Sequence, residues 1–417
     1  MDVRTGPGAV SGSVGSISSK SELHRLIICS ALADRPTVIR FRGFSDDVDA
    51  TLSCASALGA CIERGEYGVT VRPGAPISGK PVFDCRESGS TLRFILPAAT
   101  VRYKSACFRG DGRLAERPIE GLMSAMSANG VSFSADRLPF ETQGTLRPGI
   151  YELPGNVSSQ YISGLLMSLP LLGGPSTIVL KSRLESASYV DITLSVLERF
   201  GIEIVRRENI YYVPHNQTYR SPGEITADGD WSNAAFFLAA GALGNKITVT
   251  GLNMSSSQGD RAVLDIFRDF GAEIITEGEN ITVRGGHLHG CDVDMTNVPD
   301  LLPILAVTAA FAEGQTRFYG ASRLRFKESD RLASAESMIN GLGGSALQTD
   351  DGLIVRGGGL SGGTVSSFHD HRIAMAAAIA STRCMGSVDI LDASAVSKSY
   401  PAFYEDFSAL GGKVHVI

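Results

Sequence analysis

Six times along its 417 residues the chain runs through a helical stretch that ends in glycine and leads into a short strand, with a second strand after it in the first five copies. The copies read ALGACIERGEYGVTVRPG from 57, SANGVSFSADRLPFETQG from 127, RFGIEIVRRENIYYVPH from 199, DFGAEIITEGENITVRGG from 269, GLGGSALQTDDGLIVRGG from 341 and ALGGKVHVI from 409. The marker glycines Gly59, Gly130, Gly201, Gly271, Gly343 and Gly411 lie 71, 71, 70, 72 and 68 residues apart. A period held over the whole length restricts the fold to six copies of one supersecondary unit.

Each copy carries more than its glycine. A short alternating strand lies upstream, at 37–39, 106–108, 177–180, 247–250, 316–319 and 388–391, and a second helical run precedes it. Those runs, at 21–31, 91–100, 160–169, 232–240, 299–312 and 372–381, include stretches such as AAFFLAAGAL and RIAMAAAIA that are apolar nearly all round. Such a helix belongs inside a shell. The unit therefore reads βαβαββ, an α/β design with sheets outside and helices within. Glycine at the end of the outer helix supplies the left-handed turn that stops it. A non-catalytic repeat protein with an extended binding surface is the alternative from repetition alone, although such arrays usually have shorter periods.

With 43% hydrophobic and 20% charged residues, the chain can bury sizeable cores. A formal net charge of −6 and no dense Lys/Arg run give no nucleic-acid footprint. The longest nearly apolar stretch, 301–312, is too short for a bilayer and contains Pro303. The start, MDVRTGPGAVSGSV, has no basic segment followed by an apolar one, so a cytoplasmic chain is expected, with no membrane partner. Seven cysteines without a C-x-x-C pair read as buried reduced thiols. The H-x-H pairs His287/His289 and His369/His371 lack a third ligand at a usable spacing, and no metal is expected.

Cations gather where helices should repel them. A helix N-terminus carries about +0.5 charge, so Lys or Arg there costs about 0.3–1 kcal/mol unless an anion intervenes. Yet Lys20 and Arg25 flank the first inner helix, Arg93 follows Gly89-Ser90, Arg117 precedes Pro118, and Lys327 and Arg331 bracket Glu328. Arg372 and Lys398 continue the pattern. Helix amides beside Arg and Lys make an anion site, which points to ligands bearing phosphate or carboxylate groups. Ser158-Ser159-Gln160, Ser186 and Ser88-Gly89-Ser90 add neutral groups that also serve as ordinary caps. No G-x-x-x-x-G-K-[ST] occurs, so a nucleotide P-loop is unsupported. Asp300 and Glu328 are the carboxylates placed for proton transfer among these cations. Asp46, Asp47 and Asp49 read as first-turn acids that only stabilise their helix, and Asp228 and Asp230 around Gly229 read either as caps or as the lining of a hinge.

In chain order the residues SSKSELHR (18–25), ESGSTLR (87–93), RPI (117–119), SSQ (158–160), SYVDIT (188–193), PD (299–300), RFKESDRL (325–332), HDHRIAM (369–375) and SKSYP (397–401) resemble the 5-enolpyruvylshikimate-3-phosphate (EPSP) synthase family over essentially the full length. The resemblance implies two inside-out α/β barrel-like domains of three repeats each. Residues 19–228 would form the N-terminal, shikimate 3-phosphate side, and 1–18 plus 229–417 the C-terminal, phosphoenolpyruvate side, with the substrates in the cleft between them. It implies shikimate 3-phosphate ligands Lys20, Ser21, Arg25, Ser158, Ser159, Gln160, Ser186, Asp300 and Lys327. It implies phosphoenolpyruvate ligands Lys20, Gly89, Arg117, Gln160, Arg331, Arg372 and Lys398. Asp300 would accept the proton of the attacking 5-hydroxyl, while Glu328, assisted by Lys20, would move the proton at the methylene carbon. No cofactor and a monomer are implied. Glu87 and Ser90 stand where the family often has Asn and Thr, and Arg323 where it has Asn. The related UDP-N-acetylglucosamine enolpyruvyl transferases usually carry Lys-Asn where this chain has Lys20-Ser21. They also carry a cysteine where it has Gly112.

Overall fold

The computed structural model describes residues 1–417 and divides them into two compact units, Lys20–Ala227 and Met1–Ser19 with Asp228–Ile417. The first holds helices α1 (Lys20–Ala31), α2 (Asp46–Ala57), α3 (Gly89–Arg102), α4 (Glu120–Ser127), α5 (Ser159–Leu166) and α6 (Ala187–Arg199). The second holds α7 (Trp231–Ala242), α8 (Val263–Phe270), α9 (Leu302–Ala310), α10 (Arg331–Gly341), α11 (His371–Ser381) and α12 (Phe403–Ala409). Six four-stranded sheets accompany them, one per repeat.

One repeat shows the logic of all six. Strand Val82–Asp84 runs parallel to Ser105–Arg109 with α3 as the crossover, and the hairpin Val131–Phe133/Phe140–Gly144 then adds antiparallel. Register stacks Phe83 on Phe108 and Phe108 on Phe140, with ring centroids 5.0 and 5.4 Å apart, on the buried face. The βαβαββ reading holds.

The crossings between units exchange strands, which local sequence does not reveal. Ser11–Gly15 precedes α1 but pairs in parallel with Lys246–Thr250, while Glu224–Thr226 precedes α7 but pairs with Thr37–Arg40. Val3–Gly6 lies between Val388–Leu391 and Lys413–Val416, so the start of the chain completes its last sheet. Within the second unit the crossings run side by side: Ser19 N donates to Asp228 O at 2.7 Å and Asp230 N to Ile17 O at 2.8 Å.

Odd-numbered helices form the inside of each unit. All twelve residues of α7 and all eleven of α11 are buried, and α7, α9 and α11 pack on one another. Each buried Leu, Ile, Phe or Val contributes about 1.5–3 kcal/mol, so these helices dominate the two cores. Packing is close enough to demand glycine: a Cβ on Gly164 of α5 would sit 2.1 Å from the carbonyl of Arg93 on α3. All six marker glycines have φ between +72° and +107°, as their stop role requires.

Two inner helices differ from the sequence reading. The run at 160–169 ends as helix at Leu166, and a 3₁₀ turn Leu169–Leu171 follows, because Pro170 has no N–H to continue the ladder. The run at 299–312 opens as a 3₁₀ turn, Pro299–Leu301, before α9. The seven thiols are free, but only Cys29, Cys54, Cys85 and Cys384 are buried, whereas Cys61 is exposed. No helix is long and apolar enough to cross a membrane.

Candidate active site

In the first unit, α1 opens on Lys20, whose Nζ lies 2.8 Å from Asp47 Oδ2 with both side chains largely buried. This corrects the reading of Asp47 as a first-turn acid that only stabilises α2. Asp49 stays outside and pairs with Arg64 instead.

One turn further, Arg25 is fully buried. Its Nε donates to Thr193 Oγ1 at 2.6 Å, its Nη2 to Tyr189 O at 2.8 Å and Ser163 Oγ at 3.3 Å, and its Nη1 to Ser21 O. The guanidinium also lies 4.7 Å from the centre of the Phe94 ring. Every one of these partners is neutral. Burial pulls its pKa down to about 10, against smaller opposing effects of Tyr189, Cys29 and Glu22. Glu22 is engaged elsewhere, with Arg199. A buried cation held by hydroxyls and carbonyls suits an anionic ligand.

The remaining elements of this unit bring their helix starts together. Ser88 caps α3, and Gly89 opens it where a Cβ would lie 2.6 Å from Arg93 Nη1 and 2.7 Å from Arg117 Nη1, so a side chain there would displace both guanidinium groups. Arg93 ties that start to the next loop through Pro118 O at 2.6 Å. Ser158 caps α5 by accepting from Gln160 N, while Gln160 Nε2 donates to Ser90 Oγ at 2.9 Å. Ser159 is buried, and Ser186, buried in the left-handed region at φ 54°, directly precedes α6.

In the second unit the charges are paired. Asp300, in the 3₁₀ turn, accepts from Arg331 Nη1 at 2.6 Å, Arg372 Nη2 at 2.9 Å and Lys327 Nζ at 3.3 Å. Arg331, the first residue of α10, also reaches Glu328 Oε2 at 2.6 Å and Asp370 Oδ2 at 2.8 Å. Asp370 at once caps α11 through Arg372 N. Burial raises the pKa of Asp300, but Arg372, Lys327 and Arg331 together hold it well below the usual carboxylate range. Burial lowers that of Lys327, with Asp300 opposing. For Arg331 burial is outweighed by Asp370, Glu328 and Asp300, which raise it well above the ordinary value. Lys398 ends the 3₁₀ segment Ala393–Lys398 and is buried. Arg323 donates to Thr296 O. The unit thus offers Arg, Lys and helix amides for anions and two carboxylates for protons.

A family model described as EPSP synthase (3-phosphoshikimate 1-carboxyvinyltransferase) matches residues 4–407. The chain belongs to the EPSP synthase family. Similar proteins include the 3-phosphoshikimate 1-carboxyvinyltransferase of Clostridium acetobutylicum, 40% identical over 99% of this chain and 98% of that one. Another is that of Methanocorpusculum labreanum, 39% identical over 96% of each. Among solved structures, EPSP synthase from Acinetobacter baumannii matches with a TM-score of 0.83 and 25% identity over the full length of both. The enolpyruvyl transferase NikO from Streptomyces tendae, at 19% identity and a TM-score of 0.82, shares the fold.

Family membership makes the protein a transferase with the two-domain α/β fold. Sequence reasoning had named the cations and Asp300. In the structure Lys20, Arg331 and Arg372 stand in the first turn of α1, α10 and α11 and Asp300 in the turn before α9, whereas Arg25 and Arg93 lie in the second turn of α1 and α3, Arg117 and Lys327 precede α4 and α10, and Lys398 ends a 3₁₀ segment. Sequence reasoning missed Asp47 and Asp370 as their partners, and it missed Asp260, a buried carboxylate bonded to Ser232. The available signal was positional: Asp47 and Asp260 stand 12 and 11 residues before their marker glycines, where Arg331 stands 12 before its own.

Proposed function

We propose that the protein transfers the enolpyruvyl group of phosphoenolpyruvate to the 5-hydroxyl of shikimate 3-phosphate and releases phosphate. The observation that carries this reading is Asp300, a largely buried carboxylate gripped by Lys327, Arg331 and Arg372. While all three cations bear on it, Asp300 is a weak base. Anionic substrates that draw the guanidinium groups to themselves loosen that hold, so Asp300 becomes more basic as the substrates arrive.

In this mechanism shikimate 3-phosphate takes Ser21, Arg25, Ser158, Ser159, Ser186 and Lys327, and phosphoenolpyruvate takes Arg117, Gln160, Arg331, Arg372 and Lys398 with the amide of Gly89. Lys20 serves both. The 5-hydroxyl oxygen bonds to C2 of phosphoenolpyruvate and Asp300 accepts its proton, while Glu328, with Lys20, delivers a proton to C3. The tetrahedral adduct then breaks its C2–O bond to phosphate, and Glu328 recovers a proton from C3 to restore the double bond. Positioning and charge stabilisation supply most of the acceleration. The two units, here assigned as N-terminal and C-terminal domains, both contribute groups. One chain without metal or cofactor suffices, working in the cytoplasm.

The test is a phosphate-release assay with purified protein, shikimate 3-phosphate and phosphoenolpyruvate in the presence of EDTA. Turnover is expected to persist. No turnover with this pair, together with turnover of UDP-N-acetylglucosamine, overturns the assignment.

A further inference from the structure

Asp260 lies in the 3₁₀ turn Gly259–Ala262, a buried carboxylate with no role in the mechanism above. Ser232 Oγ, from the second residue of α7, donates to its Oδ2, while its Oδ1 is buried and accepts no hydrogen bond. Helix α7 packs against this turn, against Pro299–Leu301 with Asp300, and against α11 with Arg372. The charges that act on Asp260 come from those elements. Burial raises its pKa most, to about 7, Asp300 and Asp230 raise it too, and Arg372 and the Ser232 hydroxyl oppose them.

Other neighbouring charges are already committed. Asp230 caps α7, Asp370 is bound to Arg331, and Arg261 donates to Met254 O. On α8, Asp265 pairs with Arg268 on the exposed side, where Asp269 also lies. Lys398 adjoins Ser399, whose hydroxyl meets Asn233 of α7, and buried His371 adjoins Arg372.

We propose that Asp260, which shares the packing surface of α7 with the helix that carries Arg372, is a positioning residue acting through Arg372, taking up a proton from solvent as anionic substrate pairs with that guanidinium and returning it on release. The inference rests on the reading that Arg372 binds phosphoenolpyruvate. Arg372 is the principal cation keeping Asp260 charged, so an anion on Arg372 cancels that influence and favours the protonated carboxyl. Conversely, a charged Asp260 competes with the anion for Arg372. Binding of phosphoenolpyruvate therefore weakens as pH rises through about 7, by up to about tenfold per pH unit. The chemical step is spared, because Asp260 touches no reacting atom.

The experiment compares wild type with Asp260→Asn, which keeps the shape and fixes the neutral state. KM for phosphoenolpyruvate is measured between about pH 6 and 9, and proton uptake on binding to the shikimate 3-phosphate complex is measured by calorimetry in buffers of different ionisation enthalpy. The ligand phosphate titrates near pH 6 in both proteins, so the difference between them isolates Asp260. Wild type is expected to show a rising KM and net proton uptake from this group. Asp260→Asn is expected to lose both components while kcat stays within about twofold. A folded, active Asp260→Asn with the wild-type profile and uptake overturns the inference alone; wild type without turnover removes the functional reading and this inference with it. Should Asp260→Asn fail to fold, Ser232→Ala decides: loss of the hydroxyl that favours charged Asp260 is expected to move the KM rise to higher pH, and an unmoved rise rejects the inference.

Discussion

Two arginines, Arg25 in the first unit and Arg331 in the second, are both fully buried, and the chain treats their charges in opposite ways. Arg331 is surrounded by three carboxylates, Asp300, Glu328 and Asp370. Arg25 has hydroxyls, carbonyls and the face of Phe94. The first arrangement neutralises charge within the protein, so a ligand binds by exchange and alters the carboxylates it displaces. The second keeps a net positive charge for the ligand itself. Binding at Arg25 is therefore simple charge recognition, whereas binding near Arg331 is coupled to proton chemistry.

The largest expected effect breaks the neutralised side. Arg331→Met takes a guanidinium from Asp370, Glu328 and Asp300 at once, of which Asp370 is fully buried, and removing one partner of a buried ion pair typically costs about 3–5 kcal/mol. Trp231, the only tryptophan, is buried in the same unit, so its fluorescence reports the loss as a lower urea midpoint. A midpoint unchanged from wild type would mean that these ion pairs contribute little, and the contrast with Arg25 would collapse.

The contrast between the two arginines was only half legible in the sequence. Periodicity, inner helices and marker glycines were readable because each depends on a few neighbouring residues. Cations at helix starts were readable because their sign offends the helix dipole. Which acid meets which cation was not: Arg331 finds Asp300 across 31 residues and Arg372 finds it across 72. The strand exchange, with Ser11 opposite Lys246, is likewise invisible to local pattern. Asp47 was misread because a first-turn acid has a sufficient local explanation in capping and dipole effects, and nothing nearby announces Lys20.

An intermediate effect concerns pH, where His24 in the first unit and Asp260 in the second are buried titratable groups outside the reacting set. In the first, burial pulls His24 down to about 3 from 6.5, with Asp47 opposing and Lys20 and Arg25 assisting. Its native pKa lies below the unfolded one, so its contribution to stability is full above about 6.5 and is lost as pH falls towards 3. In the second, Asp260 rises to about 7 from 3.8, so the unfolded chain releases this proton first and stability is lost as pH rises from about 4 to 7. Between about pH 4.5 and 6.5 the two slopes oppose, each by at most about 1.4 kcal/mol per pH unit. Urea midpoints of His24→Asn and Asp260→Asn, each set against wild type over that range, should diverge with opposite sign. Differences of the same sign would show that burial does not govern these two groups.

The smallest expected change, and the sharpest test of the comparison, is Arg25→Met. A methionine can follow the same channel over Phe94 without a charge. Its removal leaves behind only neutral groups, Thr193, Ser163 and the carbonyls of Ser21 and Tyr189, in contrast to the three carboxylates that lose a partner with Arg331. Replacing a buried charge by a well-packed apolar side chain also removes the cost of keeping that charge out of water. The urea midpoint should therefore hold or rise, even though several hydrogen bonds go. Affinity for shikimate 3-phosphate should fall, because a hydrogen bond to a charged group is worth about 1.5–3 kcal/mol, or roughly 10- to 150-fold in KM. The KM for phosphoenolpyruvate, assigned to other cations, should move far less. Steady-state kinetics with each substrate varied in turn, beside the urea midpoint, separates the cases. A variant destabilised as severely as Arg331→Met would show that Arg25 is structural cement, and one with an unchanged KM for shikimate 3-phosphate would remove it from the binding site.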